Sequence, residues 1–181
     1  LKNGLTFDWA DTTDPAKVDA LIRPETKAIF IETPTNPLMH VTDIRAIARI
    51  ARKNHILLIV DNTFLSPVFL RPIELGADIV SDGVEPDGFN IILHSASKYL
   101  AGHNDTLAGI LVCDSDIIAD RLRYLRLTTG AALAPFDSWL VSRGLKTLSV
   151  RLKKQEESAR QIAGWLAACP KIGKVYYPGL P

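Results

Sequence analysis

Apolar runs of strand length alternate along this chain with stretches whose apolar positions recur at helical spacing. KAIFIE (27–32) is short, apolar and rich in β-branched and aromatic residues, which predicts a strand, and the turn-forming TPTNP follows it. In TDIRAIARIARKN (42–54), Ile44, Ile47, Ala48 and Ala51 share one helical face, with Thr42 as the expected N-cap and Asp43 in the first turn. ILLIVD (56–61) predicts a second strand, its unbroken apolar run being that of a parallel strand covered on both faces. GADIV (76–80) and NIILHS (90–95) are strand candidates on either side of the loop SDGVEPDG, and LAGILVC (107–113) is another. From Asp116 onward the pattern is helical: DIIADRLRYLRL, then PFDSWLVSRGLKTL, then a long stretch from about 150 to 168. KVYYPG (174–179) is expected to begin a further strand in a second domain. The alternation is that of βαβ units, and it predicts an α/β fold with a mostly parallel sheet and a helical C-terminal third.

Composition narrows the classes. With 181 residues, 47% of them hydrophobic, the chain can build one substantial core. A net charge of +1 gives no electrostatic footprint for nucleic acid or an anionic membrane. Cys113 and Cys169 lack a CxxC spacing, which fits a reducing compartment, and no apolar run is long enough to cross a bilayer. No secretory signal pattern opens the sequence, so a cytoplasmic location is expected. The first residue is Leu1 rather than methionine and the last residues are YYPGLP, so a piece of a longer protein is expected.

Chemistry concentrates at two places. In an open parallel sheet ligands bind beyond the carboxyl ends of the strands. Asp61 ends ILLIVD and Lys98 follows NIILHS, so both face one crevice. A lysine and a carboxylate there suit pyridoxal 5'-phosphate (PLP), which needs an amine for its Schiff base and an acid at its ring nitrogen. Ser95 and Ser97 flank the lysine closely enough to serve the phosphate. A lysine in such a pocket is expected to lose some of its solvation. Each residue also has a plainer reading: Lys98 as a solvated surface charge, Asp61 as a helix cap, GHND (102–105) as a turn. An acidic strand end holding magnesium would require a GxxxxGK[ST] loop, and none occurs. The four histidines and two cysteines show no metal-ligand spacing, so no metal is expected.

ETPTNP, VDNTF, RPIELGAD, HSASKYLAGHND, RGLKTL and VYYPGLP, in this order, resemble the PLP-dependent Cys/Met metabolism family, the transsulfuration enzymes. That family includes cystathionine γ-synthase, cystathionine β- and γ-lyases and homoserine-ester sulfhydrylases. The resemblance implies the aspartate-aminotransferase-like (PLP fold type I) large domain, here incomplete: residues 1–172 as part of that domain and 173–181 as the start of the connection to a small C-terminal domain. It implies that Lys98 carries the cofactor and then works as the base at the substrate's α carbon. Asp61 partners the ring nitrogen, Thr63 packs against the ring, Ser95 and Ser97 bind the phosphate, and Asn36 lies near the cofactor's phenolic oxygen. The implied reaction makes or breaks a C–S bond at the β or γ carbon of a sulfur amino acid or homoserine ester. An aminotransferase-like enzyme and an inactive fragment are the alternatives. A homotetramer built from tight dimers is implied for the intact protein, with neither nucleic acid nor a membrane as partner.

Two departures stand out. Ser97 occupies a position where threonine is usual, and SDGVEPDGFNI (81–91) is inserted before the lysine strand. A solvated surface loop is the expectation for that insert, the alternative being a cover over the active-site mouth or an altered subunit contact. The family chain is about twice this length on the domain-size prior. The tyrosine that stacks on the ring, a glycine-rich phosphate turn and the arginine for the substrate carboxylate are expected outside these residues.

Overall fold

The structure is a computed structural model that describes residues 4–76 and 90–180. Its centre is one four-stranded sheet in the order β1-β2-β3-β4: β1 Ala28–Glu32, β2 Leu57–Asp61, β3 Asn90–Ser95 and β4 Gly109–Cys113. The first three strands are parallel, and the register pairs Glu32 with Asp61 and Asp61 with Leu93. The fourth runs antiparallel to β3, pairing Ser95 with Gly109 and Ile91 with Cys113. The segment 96–108 joins β3 to β4, and it holds the five-residue turn Ala96–Leu100 rather than the longer helix that usually carries a parallel crossover. The strand candidate 76–80 and the insert 81–91 fall mainly outside the described residues.

One face of the sheet carries the main core. Ile29 and Ile31 of β1, Leu58 and Val60 of β2, and Ile92 of β3 pack with the helix α2 (Ile44–Lys53). Ile47, fully buried, lies at the centre of that contact with Ile44, Ala48 and Ala51 beside it, as the helical spacing of the sequence predicts. The short helices α1 (Pro15–Asp19), α3 (Ser66–Phe69) and α4 (Pro72–Gly76) complete this layer and its links. On the other face Leu57 and Ile59 are half-buried and Phe30 is 58% exposed. The apolar run of β2 is therefore covered completely on one side only among the described residues.

The N-cap of α2 is Asp43 rather than Thr42. Asp43 has extended backbone and its carboxylate accepts the Ala46 N–H at 3.0 Å. Thr42 is buried instead: its N–H donates to Thr33 Oγ1 at 3.0 Å and its hydroxyl meets that of Thr12 at 2.7 Å.

The C-terminal third is helical: α5 Asp116–Thr129, α6 Pro135–Leu145 and α7 Leu148–Ala167. PFDSWLVSRGLKTL does not stay one helix; α6 ends at Leu145, and Thr147 stands as the N-cap of α7. A second core cluster joins Val141 of α6 and Leu148 and Leu152 of α7 to Ala96, Leu100 and Ala101, the segment after β3. Gly144 makes this contact possible, because a Cβ there would overlap the Ala101 backbone carbonyl. Residues 174–179 form no strand; they are irregular chain ending in a turn.

Candidate active site

β2 and β3 end side by side, and the residues beyond them are laced together. Asn62 N–H donates to Leu93 O at 2.9 Å, which carries the parallel ladder one step past Asp61. Asp61, half-buried, then folds its carboxylate over the turn: Oδ1 accepts the Thr63 N–H at 2.9 Å. Thr63, 6% exposed, in turn accepts the Ser95 N–H on its hydroxyl oxygen at 2.8 Å. A chain of two bonds thus runs Asp61–Thr63–Ser95 across the lip of the sheet. The plainer reading of Asp61 as a helix cap does not hold, since α3 has Leu65 at its N-cap; Asp61 instead caps the turn through Oδ1, while Oδ2 carries no hydrogen bond among the described residues.

Lys98 stands on the turn Ala96–Leu100 that leaves β3. Ala101 N–H returns to Ala96 O at 2.9 Å, a five-residue ring wider than an α-turn, and Gly102 N–H reaches Lys98 O at 2.8 Å. Lys98 itself sits at φ −94°, ψ −116°, outside the helical region, so its side chain leaves the turn at a kink. The residue is exposed, so among the described residues the loss of solvation expected of it is not seen. Its ammonium lies 5.8 Å from the Phe64 ring centroid, and Phe64 meets Tyr99 edge-on at 6.4 Å. A cleft of about 320 Å³ opens there, between Lys98, Phe64, Tyr99, Asn104, Arg151 and Gln155.

The two serines differ. Ser97 is tied to the start of β4: its Oγ accepts the Ala108 N–H at 2.8 Å and donates to Ala108 O at 3.3 Å, and its own N–H also donates to that carbonyl at 3.2 Å. Ser95 has a side-chain hydroxyl with no hydrogen bond among the described residues. Asn36 stands apart on the exposed loop after β1; its backbone N–H donates to Glu32 Oε2 at 3.3 Å, and no hydrogen bond links its side chain to Asp61, Thr63, Ser95 or Lys98. Asp61, Thr63 and Ser95 are therefore brought together by hydrogen bonds, Ser97 and Lys98 follow on the adjoining turn, and Asn36 remains a strand away.

His94, between Leu93 and Ser95 on β3, is 5% exposed. Burial holds its imidazole below the ordinary value of 6.5, against the opposing pull of the Asn62 carbonyl and the Asp61 charge. Its Nδ1 and the Oδ1 of buried Asn62 lack hydrogen-bond partners. GHND is a turn, as its composition suggests, with Gly102 and Asn104 at positive φ, and Thr106 just beyond donates to Asp137 of α6 at 2.7 Å. No group of three or more metal-ligating side chains occurs among the described residues, and no helix there is long and apolar enough to cross a membrane.

Sequence reasoning missed Arg151, Phe64 and Ala108, which surround Lys98 and Ser97. Arg151 comes from the middle of the C-terminal helical stretch, where spacing marks only which face is apolar.

Residues 1–181 match the family described as Cys/Met metabolism PLP-dependent enzyme. Cystathionine gamma-synthase of Haemophilus influenzae is 48% identical over 170 residues, 94% of this chain and 43% of that enzyme. Cystathionine beta-lyase of Coxiella burnetii is 44% identical over 179 residues, 98% of this chain and 43% of that enzyme. The crystal structure of cystathionine gamma-lyase from Lactobacillus plantarum complexed with L-serine superposes with a TM-score of 0.89 at 45% identity, covering 98% of this chain and 44% of that one. The chain thus spans less than half the length of each of these relatives.

Proposed function

The chain belongs to the Cys/Met metabolism PLP-dependent enzyme family, and from that premise we propose that it forms the lysine-bearing half of an enzyme that makes or breaks C–S bonds. The substrates are sulfur amino acids or homoserine esters, and the reacting carbon is β or γ, as in a cystathionine γ-synthase or a β- or γ-lyase. The observation that carries this reading is the Asp61–Thr63–Ser95 hydrogen-bond chain at the ends of two parallel strands, with Lys98 on the next turn.

These residues fit PLP. Lys98 offers an exposed primary amine with no ion pair among the described residues, so once its proton is lost to solvent the amine is free to react with an aldehyde. Asp61 keeps Oδ2 for a ring N–H while Oδ1 is pinned to the backbone. Ser95 offers a free hydroxyl to the phosphate. Ser97 fits less directly, because its hydroxyl must give up the 3.3 Å bond to Ala108 O before it donates elsewhere. When bound, PLP supplies a cationic ring that accepts the electron pair left at the substrate's α carbon. The chain's own contribution is to hold and to move protons. Asp61 keeps a proton on the ring nitrogen, and its pinned oxygen fixes the angle at which it does so. Lys98 Nζ, once freed by the substrate's amine, takes the α proton at close range instead of from solution and returns it to a neighbouring carbon.

The homotetramer, the division at residue 173 and the cytoplasmic location belong to the same proposal. Trp9, Phe30, Trp139 and Trp165, all exposed, are surfaces that the rest of the protein and its partner subunits would cover.

Assay of the intact, PLP-loaded protein tests the reading. Release of a thiol with ammonia and a 2-oxo acid from cystathionine, or formation of cystathionine from O-acetylhomoserine and cysteine, is expected, and Lys98→Ala should abolish it. A 2-oxo acid formed without thiol or ammonia would favour the aminotransferase-like alternative. No reaction from well-folded protein with bound PLP would overturn C–S chemistry.

A further inference from the structure

The turn that bears Lys98 is gripped by one side chain of α7. Arg151 Nη1 donates to Tyr99 O at 3.0 Å, and Nη2 donates to Gly144 O at 2.9 Å and to Leu100 O at 3.4 Å. Its Nε donates to Thr147 Oγ1 at 3.1 Å, so all three guanidinium nitrogens are engaged. Two of the acceptors are the residues immediately after Lys98, and the sequence separation is more than 50 residues. Helical turns leave their last carbonyls without backbone donors, and a planar, permanently charged fork suits several such carbonyls at once. Gly102, at φ +76°, has the space of its missing Cβ filled by this guanidinium. Gly144 brings the Ala101 backbone against α6 on the same side.

Lys98 has little else to aim it. It is exposed, and its one described contact is the Phe64 ring. The direction of its amine is therefore set by the backbone of the turn.

Building on the cofactor-binding reading of Lys98, we propose that Arg151 is a positioning residue: it locks the Ala96–Gly102 turn so that the Lys98 amine is presented to its carbonyl partner. In this role it acts through the backbone of the turn, although its side chain also borders the Lys98 cleft. A lysine at 151 would offer one point charge where the site needs a fork, so R151K should behave as a loss and not as a conservative change.

The test uses the intact protein as R151K, R151A and wild type, with two readouts. The first needs no cofactor: amide hydrogen exchange over 96–102 should accelerate about tenfold or more in both variants, with β2 unchanged. The second is the rate at which added PLP becomes borohydride-trappable on Lys98, which should fall by about 10- to 100-fold, since small misplacements of a reacting group cost that much. Methylguanidine should restore part of the rate to R151A and none to R151K. Wild-type attachment rates in folded R151K overturn the proposal even if R151A fails to fold. Faster exchange with an unchanged attachment rate also overturns it, leaving Arg151 a purely structural brace. Wild-type protein that attaches PLP while both variants match it refutes Arg151 alone. Wild-type protein that never attaches PLP refutes the cofactor reading and this role with it.

Discussion

Thr63→Val removes one hydroxyl from the middle of the candidate site and keeps the side chain's branching. In the protein, Thr63 Oγ1 accepts the Ser95 N–H at 2.8 Å, and Thr63 is 6% exposed, so little water can replace it. The variant turns a methyl toward that N–H. A buried donor left without an acceptor costs about 1–3 kcal/mol. At about 1.4 kcal/mol per tenfold, the unfolding equilibrium constant rises by about 5- to 150-fold. With a urea slope of about 2 kcal/mol per molar, the midpoint falls by roughly 0.5–1.5 M. Thr63→Ser keeps the acceptor and loses only a methyl, so it should recover most of that loss, to within about 1 kcal/mol of wild type. Urea unfolding followed by circular dichroism, in matched buffer and without PLP, separates the two variants. A Thr63→Val midpoint equal to wild type would refute the claim that this hydroxyl holds the ends of β2 and β3 together. So would a Thr63→Ser variant as unstable as Thr63→Val.

Three further outcomes follow from the same geometry. Asp61→Asn keeps an oxygen for the Thr63 N–H, so the fold should persist, but it removes the negative charge proposed to face the ring nitrogen. A unit pair at about 4 Å and an effective dielectric near 20 is worth about 4 kcal/mol, so turnover should fall by about a thousandfold with the melting temperature little changed. His94 is held below its ordinary value of 6.5 in the folded protein, so the unfolded chain takes up a proton that the folded one refuses as pH drops below about 6.5. Stability should therefore decline with acidification from that point until the lowered folded value is reached, and His94→Gln should remove this component of the slope in urea titrations. Gly144→Ala forces a methyl into the Ala101 carbonyl and should destabilise the protein by about 1–3 kcal/mol, with slowed PLP attachment at Lys98 as a second readout.

Much of this was legible in the sequence, and for identifiable reasons. The helical face of Ile44, Ile47, Ala48 and Ala51 and the runs of β1, β2 and β3 are dictated by burial on one core, so periodicity finds them. Strand direction is not encoded in periodicity: β4 is an apolar run like that of β2, yet it runs antiparallel to β3, the segment between them holding a five-residue turn and no longer helix. Thr42 and Asp43 are both good caps, and the choice between them was made by a tertiary contact, the Thr12–Thr42–Thr33 cluster. The segment 174–179 reads as a strand by its Val-Tyr-Tyr content, but β structure needs a partner edge, and among the described residues it pairs with none. Asp61 and Lys98 could be picked out because strand ends are where open sheets place chemistry. The attachment of Ser97 to Ala108 could not, since a hydroxyl's partner 11 residues away leaves no pattern. Nor could the fork of Arg151, whose target carbonyls carry no sequence signature.

The central claim is that Lys98, and no other lysine, carries the cofactor. Intact protein incubated with PLP, reduced with borohydride and digested for peptide mass mapping tests it most directly. The account predicts a pyridoxyl adduct on the peptide containing Lys98, absent from Lys98→Ala protein and weakened in Asp61→Asn. An adduct on a different lysine with Lys98 unmodified, or no adduct in folded protein at excess PLP, would contradict it.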